Sequence, residues 1–400
     1  MLESFKNMEK KHLLIALALY AVSAIASFGA FSYWETSKVV LPGGVQGGET
    51  LLGALLEIDP SEPRDQACPL NGKLYTQTER DAWETRRPLF VMIENSPDAR
   101  PQSGLSRADV VYEAVAEGGV TRFGALYYCA AQIQDVEVAP VRSARTYFVD
   151  WASGYNFPLY VHVGGANVPG PTDALGQIID YGWSLENDLN QFSIGYPTFV
   201  RDYNRIPGRE VATEHTMVST TEKLWAVGEE REWTNMSPDR VVNRRVVPGT
   251  EWSDGFEPWT FEENAPAAGS VTQVSHGFWD GYGAYSLEWN YDSSLDAYLR
   301  VMGGEDHIDL NNDEQIAAKN VIVLLTTERG PINEKKHLLY TTTGTGDALI
   351  FKHGEVVEAT WSKKSRTDEL RFVDSSGDDI PLARGLTWIS VVDTSTDVDY

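Results

Sequence analysis

Hydrophobic positions along this chain fall into three kinds of run. The first is unbroken: "LLIALALYAVSAIASFGAFSYW", Leu13 to Trp34, carries no charged side chain. At about 1.5 Å of rise per residue it is long enough to cross a bilayer core of roughly 30 Å. The second kind is a series of short apolar blocks bounded by turn residues, which predicts strands. These are the run between Pro88 and Asn95, "ADVVYEAVA", "TRFGALYYCA" and "PLYVHVGG", and later "GAYSLEWNYD", "AYLRVM", "KNVIVLL", "DALIFKHGEVVEATW" and "LTWISVVD". Gly118–Gly119, His353–Gly354 and Ser376–Gly377 fit the turns of hairpins. The third kind has helical spacing. Tyr147, Trp151 and Tyr155 recur every four residues and predict an amphipathic helix. "PTDALGQIIDYG" reads as a short helix stopped by Gly182, and "STTEKLWAV" opens on Ser-x-x-Glu, a capping-box pattern.

These elements predict an α/β or α+β N-terminal domain, a mixed sheet with helices, followed by a mostly β C-terminal domain. The expected boundaries are a cytoplasmic stub and anchor over 1–35, a tether over 36–80, the first domain over 81–230, a charged, Pro-rich connection over 231–265, and the β-rich domain over 266–397. Lys6, Lys10 and Lys11 precede the apolar run, whereas Glu35, Glu49, Glu57 and Asp59 follow it. The positive-inside rule then places the N-terminus in the cytoplasm and the bulk of the chain outside, as a single-pass membrane protein. A cleavable signal peptide is the alternative, with Ala24 and Ala26 in "SAIAS" as an A-x-A-like site, although the length of the run favours an uncleaved anchor.

Charge narrows the partners. With 58 acidic and 33 basic residues the formal charge is −25, so sequence-independent nucleic-acid binding is excluded. An anionic ligand would need a local arginine site. Cys68 and Cys129 are the only cysteines; an oxidising compartment permits a disulfide, and sequence leaves open whether they pair. There is no G-x-S-x-G elbow, H-E-x-x-H or P-loop, so serine hydrolase, zinc protease and NTPase readings have no motif. The pair Gly344 and Gly346 reads as a strand-to-strand turn.

The residues worth weighing are arginines, because forked guanidinium donors match phosphate and carboxylate oxygens. Arg142 and Arg145 sit at a strand-to-helix corner, with Arg107 and Arg122 on or beside neighbouring strands. The competing expectation is that they pair with Glu94, Asp109, Glu113 and Glu117. Asp109 is the candidate base or metal ligand, against a salt bridge with Arg107. His162, after a strand and before Gly164–Gly165, is a candidate cleft residue, against a packing role. His215 could face the same cleft. "GGEDHIDLNND" around His307 is expected to be a solvated acidic loop, against a metal site that it resembles in composition but not in D-x-D-x-D-G spacing.

The segments "CPLNG", "RPLFVMIENSPDARPQSGLSRADVVYEAVAEGGVTRFGALYY", "APVRSART", "YNFPLYVHVGG", "EHTMVST", "WNYDSSLDAYLRVMGGEDHIDLNNDEQIAAKNVIV" and "GTGDALIFKHGEVVEATWSK" closely resemble the YerB-like lipoprotein family, a domain of unknown function. The resemblance implies a membrane-attached, extracytoplasmic, two-domain envelope protein with no established activity. This chain lacks the lipid-modified cysteine of those lipoproteins, so a transmembrane anchor would replace the lipid. "RAD", "PVRS", "YVHVGG" and "VRDYNR" are also similar to the LytR–CpsA–Psr glycopolymer phosphotransferases. That likeness assigns Arg107 and Asp109 to a first motif, Arg142 to a second, and Arg201, Asp202 and Arg205 to a third. It implies Mg²⁺, a lipid-linked pyrophosphate substrate and a cell-envelope glycopolymer, with Asp109 and Arg142 catalytic. Ser143 stands where that pattern has an acid. Three functions follow: a binder of a phosphorylated or carboxylated envelope ligand in an arginine-lined cleft, a phosphotransferase, or a non-catalytic scaffold.

Overall fold

The computed structural model describes residues 56–400 apart from 238, 243, 264, 265 and 267. The expected anchor over 1–35 and the first part of the tether lie outside the described residues. Among the described residues, no helix is long and apolar enough to cross a membrane.

Most of the short apolar blocks become strands of one large sheet, while "GAYSLEWNYD" and "AYLRVM" go to a second. In chain order the strands of the large sheet are β1 (Leu89–Glu94), β2 (Val110–Glu117), β3 (Val120–Tyr127), β4 (Leu159–His162), β5 (Asp188–Asn190), β6 (Asn320–Thr326), β7 (Gly344–Lys352), β8 (Glu355–Lys363), β9 (Arg371–Val373) and β10 (Thr387–Asp393). They pair in the order β9-β8-β7-β6-β10-β2-β3-β1-β4-β5. All six residues of β1 are buried, as a continuous apolar run in a sheet covered on both faces should be. Gly118 and Gly119 take φ of 56° and 83° in the β2–β3 turn, the left-handed pair that a two-residue hairpin requires.

Both halves of the chain build this sheet. β10, from the C-terminal half, pairs in parallel with β2, from Thr387 opposite Val110 to Ser390 opposite Glu113. It also pairs in parallel with β6. A second sheet takes the strands Gln273–His276, Leu287–Asp292, Ala297–Met302, Glu305–Asp306, Ala317–Ala318 and Val398–Asp399. Its Trp289 meets Trp388 of β10 with ring centroids 5.4 Å apart.

A buried polar core joins these halves. Arg300 and Glu113, both fully buried, form an ion pair at 2.7 Å. Arg300 Nε donates to His307 Nδ1 at 2.9 Å, and His307 Nε2 lies 2.8 Å from Gln102 Oε1. Trp388 Nε1 donates to Glu113 Oε2, and the Arg300 guanidinium stacks 4.2 Å from the Trp388 ring centroid. His307 is therefore buried, not in a solvated loop. Its neighbour Asp309 is buried too, accepting from the Gly104 and Ser106 backbone N–H groups.

Among the described residues the helices are short: α1 (Gln77–Glu84), α2 (Thr146–Ala152), α3 (Ala174–Asp180), α4 (Gln191–Ile194) and α5 (Thr221–Glu230). The end of the expected tether is folded: Gln66–Ala67 pairs with Leu74–Tyr75, and Thr76 with Glu79 forms a capping box on α1. α2 is buried on nearly every side, only Asp150 being partly open, so it is a core helix, not an amphipathic one. α5 is capped by Thr220, whose side chain accepts from Lys223 N–H, while Ser219 Oγ donates to the Thr198 carbonyl. Gly344 and Gly346 lie within β7, where the missing Cβ of Gly346 leaves room for the Trp361 indole.

Candidate functional site

The carboxyl ends of β1, β2 and β4 lie side by side, separated only by the antiparallel β3. The crevice beyond such strand ends, where neighbouring connections diverge, is where open α/β sheets place ligands. Here the chain leaves β1 for β2 on one side, and returns through α2 to β4 on the other.

Strand alternation assigns side chains to this edge. Arg122 of β3 is the cross-strand partner of Glu94 on one side and Ala114 on the other, so these three share a face. Glu113 points to the opposite face and into the buried core. In a regular strand Glu117 would share the face of Glu113. A β-bulge between Val115 and Glu117 shifts the register and turns Glu117 toward Arg122.

Three guanidiniums meet two carboxylates there. Arg122 Nη2 donates to Glu117 Oε1 at 3.0 Å, and Arg122 Nη1 to the Ser143 carbonyl at 3.0 Å. Arg145 Nε donates to Glu117 Oε2 at 2.9 Å, and its Nη2 meets the same oxygen. Arg142 Nε lies 2.9 Å from Glu94 Oε2, which also meets His215 Nδ1 at 3.0 Å. Burial would push the Glu117 carboxyl up, but Arg122 and Arg145 outweigh it and hold it at about 2. His337, bridged by its backbone to Glu117, comes from the C-terminal half; burial and then Arg145 hold its imidazole below the ordinary value. Two sets of donors are unused. Arg122 Nε is buried with no hydrogen-bond partner. Arg142, with 27% of its side chain exposed, is ion-paired through Nε, and its Nη groups make no hydrogen bond among the described residues.

The other expected site residues go elsewhere. Arg205 is buried and donates to the carbonyls of His215, Pro101 and Ala99. Arg201 donates to the Thr213 carbonyl and to Thr216 Oγ1. Asp202 is exposed and accepts from Asn204 N–H at 2.8 Å. Arg107 is exposed at the end of a 3-10 turn. His162 is a packing residue: Nδ1 lies 2.6 Å from the Gly164 carbonyl and Nε2 2.6 Å from Asp188 Oδ1. A groove of about 260 Å³ lies apart from all of these, beside Arg87, Asn156 and Trp252. Arg87 is spent there on backbone carbonyls, including those of Thr234 and Met236.

Asp109 does not meet Arg107 or Arg142. It precedes β2 at the end opposite Glu117, about 25 Å away along extended chain. Its oxygens accept from the Tyr128 and Ala130 N–H groups and from Asn71. Cys68 and Cys129, close by, are joined at 2.16 Å, so no thiolate is left to bind a metal with it. A carboxylate filled by backbone donors beside a disulfide does not fit an Mg²⁺ site on pyrophosphate. Burial pushes the Asp109 carboxyl up to about 7, against the hydrogen bonds it accepts. The folded state therefore holds this proton more tightly than the unfolded one. That contribution to stability is complete below pH about 4 and lost as the pH rises through 7. Relative to Asp109→Asn, the wild type is expected to lose up to about 4 kcal/mol across that window. Urea unfolding of both proteins at pH 4, 6 and 8 checks this, and a pH-independent difference would contradict it.

Comparison with known proteins bears on both halves. Residues 75–234 match the model described as "Protein of unknown function (DUF3048) N-terminal domain", and residues 279–389 match its C-terminal domain counterpart. The chain belongs to the DUF3048 family. It is 28% identical to the Bacillus subtilis protein named "Putative lipoprotein YerB" over 335 residues, 83% of this chain and 88% of that protein. A crystal structure of the Bacillus subtilis YerB protein superposes with a TM-score of 0.64 at 26% identity, covering 84% of this chain and all of the other.

Within this DUF3048 chain, the arginine cluster draws on both family domains. Arg122, Arg142 and Arg145 were legible from the sequence. His337 was not, because "INEKKHLLY" carries no motif and only the shared sheet brings it to Glu117.

Proposed function

We propose that this protein is anchored to the membrane by the apolar run Leu13–Trp34, with its folded part outside the cytoplasm, and that the arginine cluster binds an anionic group of an envelope ligand. The lipoprotein name of its relative supports the location. Both cysteines are held in a disulfide, which leaves neither for a lipid and favours a transmembrane anchor in its place. The observation that carries the binding reading is the pairing of three arginines with two carboxylates in a chain of charge −25. That excess of cationic charge comes with a partly open guanidinium, Arg142, whose Nη groups have no protein acceptor among the described residues. An anion would supply the missing acceptors.

A LytR–CpsA–Psr-like transfer would need Asp109 and Mg²⁺ beside Arg142. The distance along β2 argues against it, and binding is the activity proposed. The test is titration of pyrophosphate into the full chain in detergent, wild type against Arg142→Ala. Loss of a charge-assisted pair predicts affinity about 10- to 100-fold weaker in the variant. Equal affinity would sink the reading and leave the scaffold.

A further inference from the structure

Exposed apolar side chains gather on the segment that follows the edge strand β5. Phe192 on α4 is 75% exposed and Tyr196 just after it 84%. The Phe192 backbone is nevertheless fixed. Asn190 Oδ1 accepts from the N–H groups of both Phe192 and Gly164, each at 3.2 Å. The ring lies so close over Gly164 that a Cβ there would come within 2.9 Å of Phe192 Cε2; Gly164, at φ 58°, is needed for that approach. The Gly164 carbonyl accepts from Ala144 N–H at 2.9 Å, and Val163 N–H donates to the Arg142 carbonyl at 3.0 Å. Hydrogen bonds thus tie an exposed aromatic ring to the loop that carries Arg142 and Arg145.

We propose that the ligand of the arginine cluster is an anionic saccharide, its charged group on the partly open Arg142 guanidinium and one sugar face on the Phe192 ring. This rests on the anion-binding reading above. A pyranose presents C–H groups on one face, and these meet the negative face of an aromatic ring favourably. A bare inorganic anion would leave the ring in water. An anionic lipid surface is disfavoured by a chain of charge −25.

The experiment titrates inorganic phosphate and N-acetylglucosamine 1-phosphate into the full chain in detergent. Wild type is expected to prefer the sugar phosphate by roughly 2- to 10-fold, the size of one aromatic contact. Phe192→Ala should abolish that preference and leave phosphate affinity unchanged, whereas Phe192→Trp should keep it. Arg142→Ala should weaken both ligands. Phosphate binding without a sugar preference, or a preference that survives Phe192→Ala, would overturn the saccharide proposal alone. No binding of either ligand would overturn the anion reading with it.

Discussion

Arg300→Met is expected to cost about 3–5 kcal/mol of folding stability, because it strands the Glu113 carboxylate in the interior. Both side chains of the pair are fully buried. Glu113 is held further by Thr121 and Trp388, whose donors cannot replace a whole cation. Arg300 is also the stacking partner of Trp388 and Trp289, so methionine loses the cation–π attraction as well. The double variant Arg300→Met with Glu113→Gln should recover part of the loss, since the uncompensated charge is then gone. Urea unfolding followed by tryptophan fluorescence reads both. A loss below about 1 kcal/mol for the single variant would show that the network contributes little.

Removing the disulfide should have a comparable effect. Cys68 and Cys129 are 61 residues apart in sequence, and closing a loop of that size restricts the unfolded chain by about 4 kcal/mol. The bond also holds the segment carrying Asn71 against the start of β2, where Asn71 meets Asp109. Cys68→Ala with Cys129→Ala is therefore expected to lower the urea midpoint markedly, and reducing agent should do the same to the wild type. Unchanged midpoints in both experiments would show that the bond adds no stability.

What could be read from the sequence follows the range of the interactions. β1, the β2–β3 hairpin, β4, β7 with β8, and β10 announce themselves by local apolar pattern and turn residues. The association of the halves does not. β10 pairs with β2 across most of the chain, and no local pattern encodes a parallel partner that distant. The same limit hid the core role of His307, since its loop is acidic in composition and buried only by the packing of both halves. At the site, Arg142 and Arg145 were legible because they sit at one strand-to-helix corner, and Arg122 because it lies on a neighbouring strand. Arg201 and Arg205 followed a motif likeness, and their guanidiniums serve backbone carbonyls instead. The aim of Glu117 depends on a one-residue bulge, which shifts a side chain across the sheet without any mark in the pattern of apolar residues.

The edge formed by Arg122, Arg142 and Arg145 is proposed as an anion site. A crystal structure of the protein soaked in pyrophosphate tests it most directly. A phosphate group is expected within hydrogen-bond distance of the Arg142 Nη atoms, with Glu117 still bound by Arg145. Pyrophosphate seated elsewhere, with the arginine cluster unchanged, would contradict it.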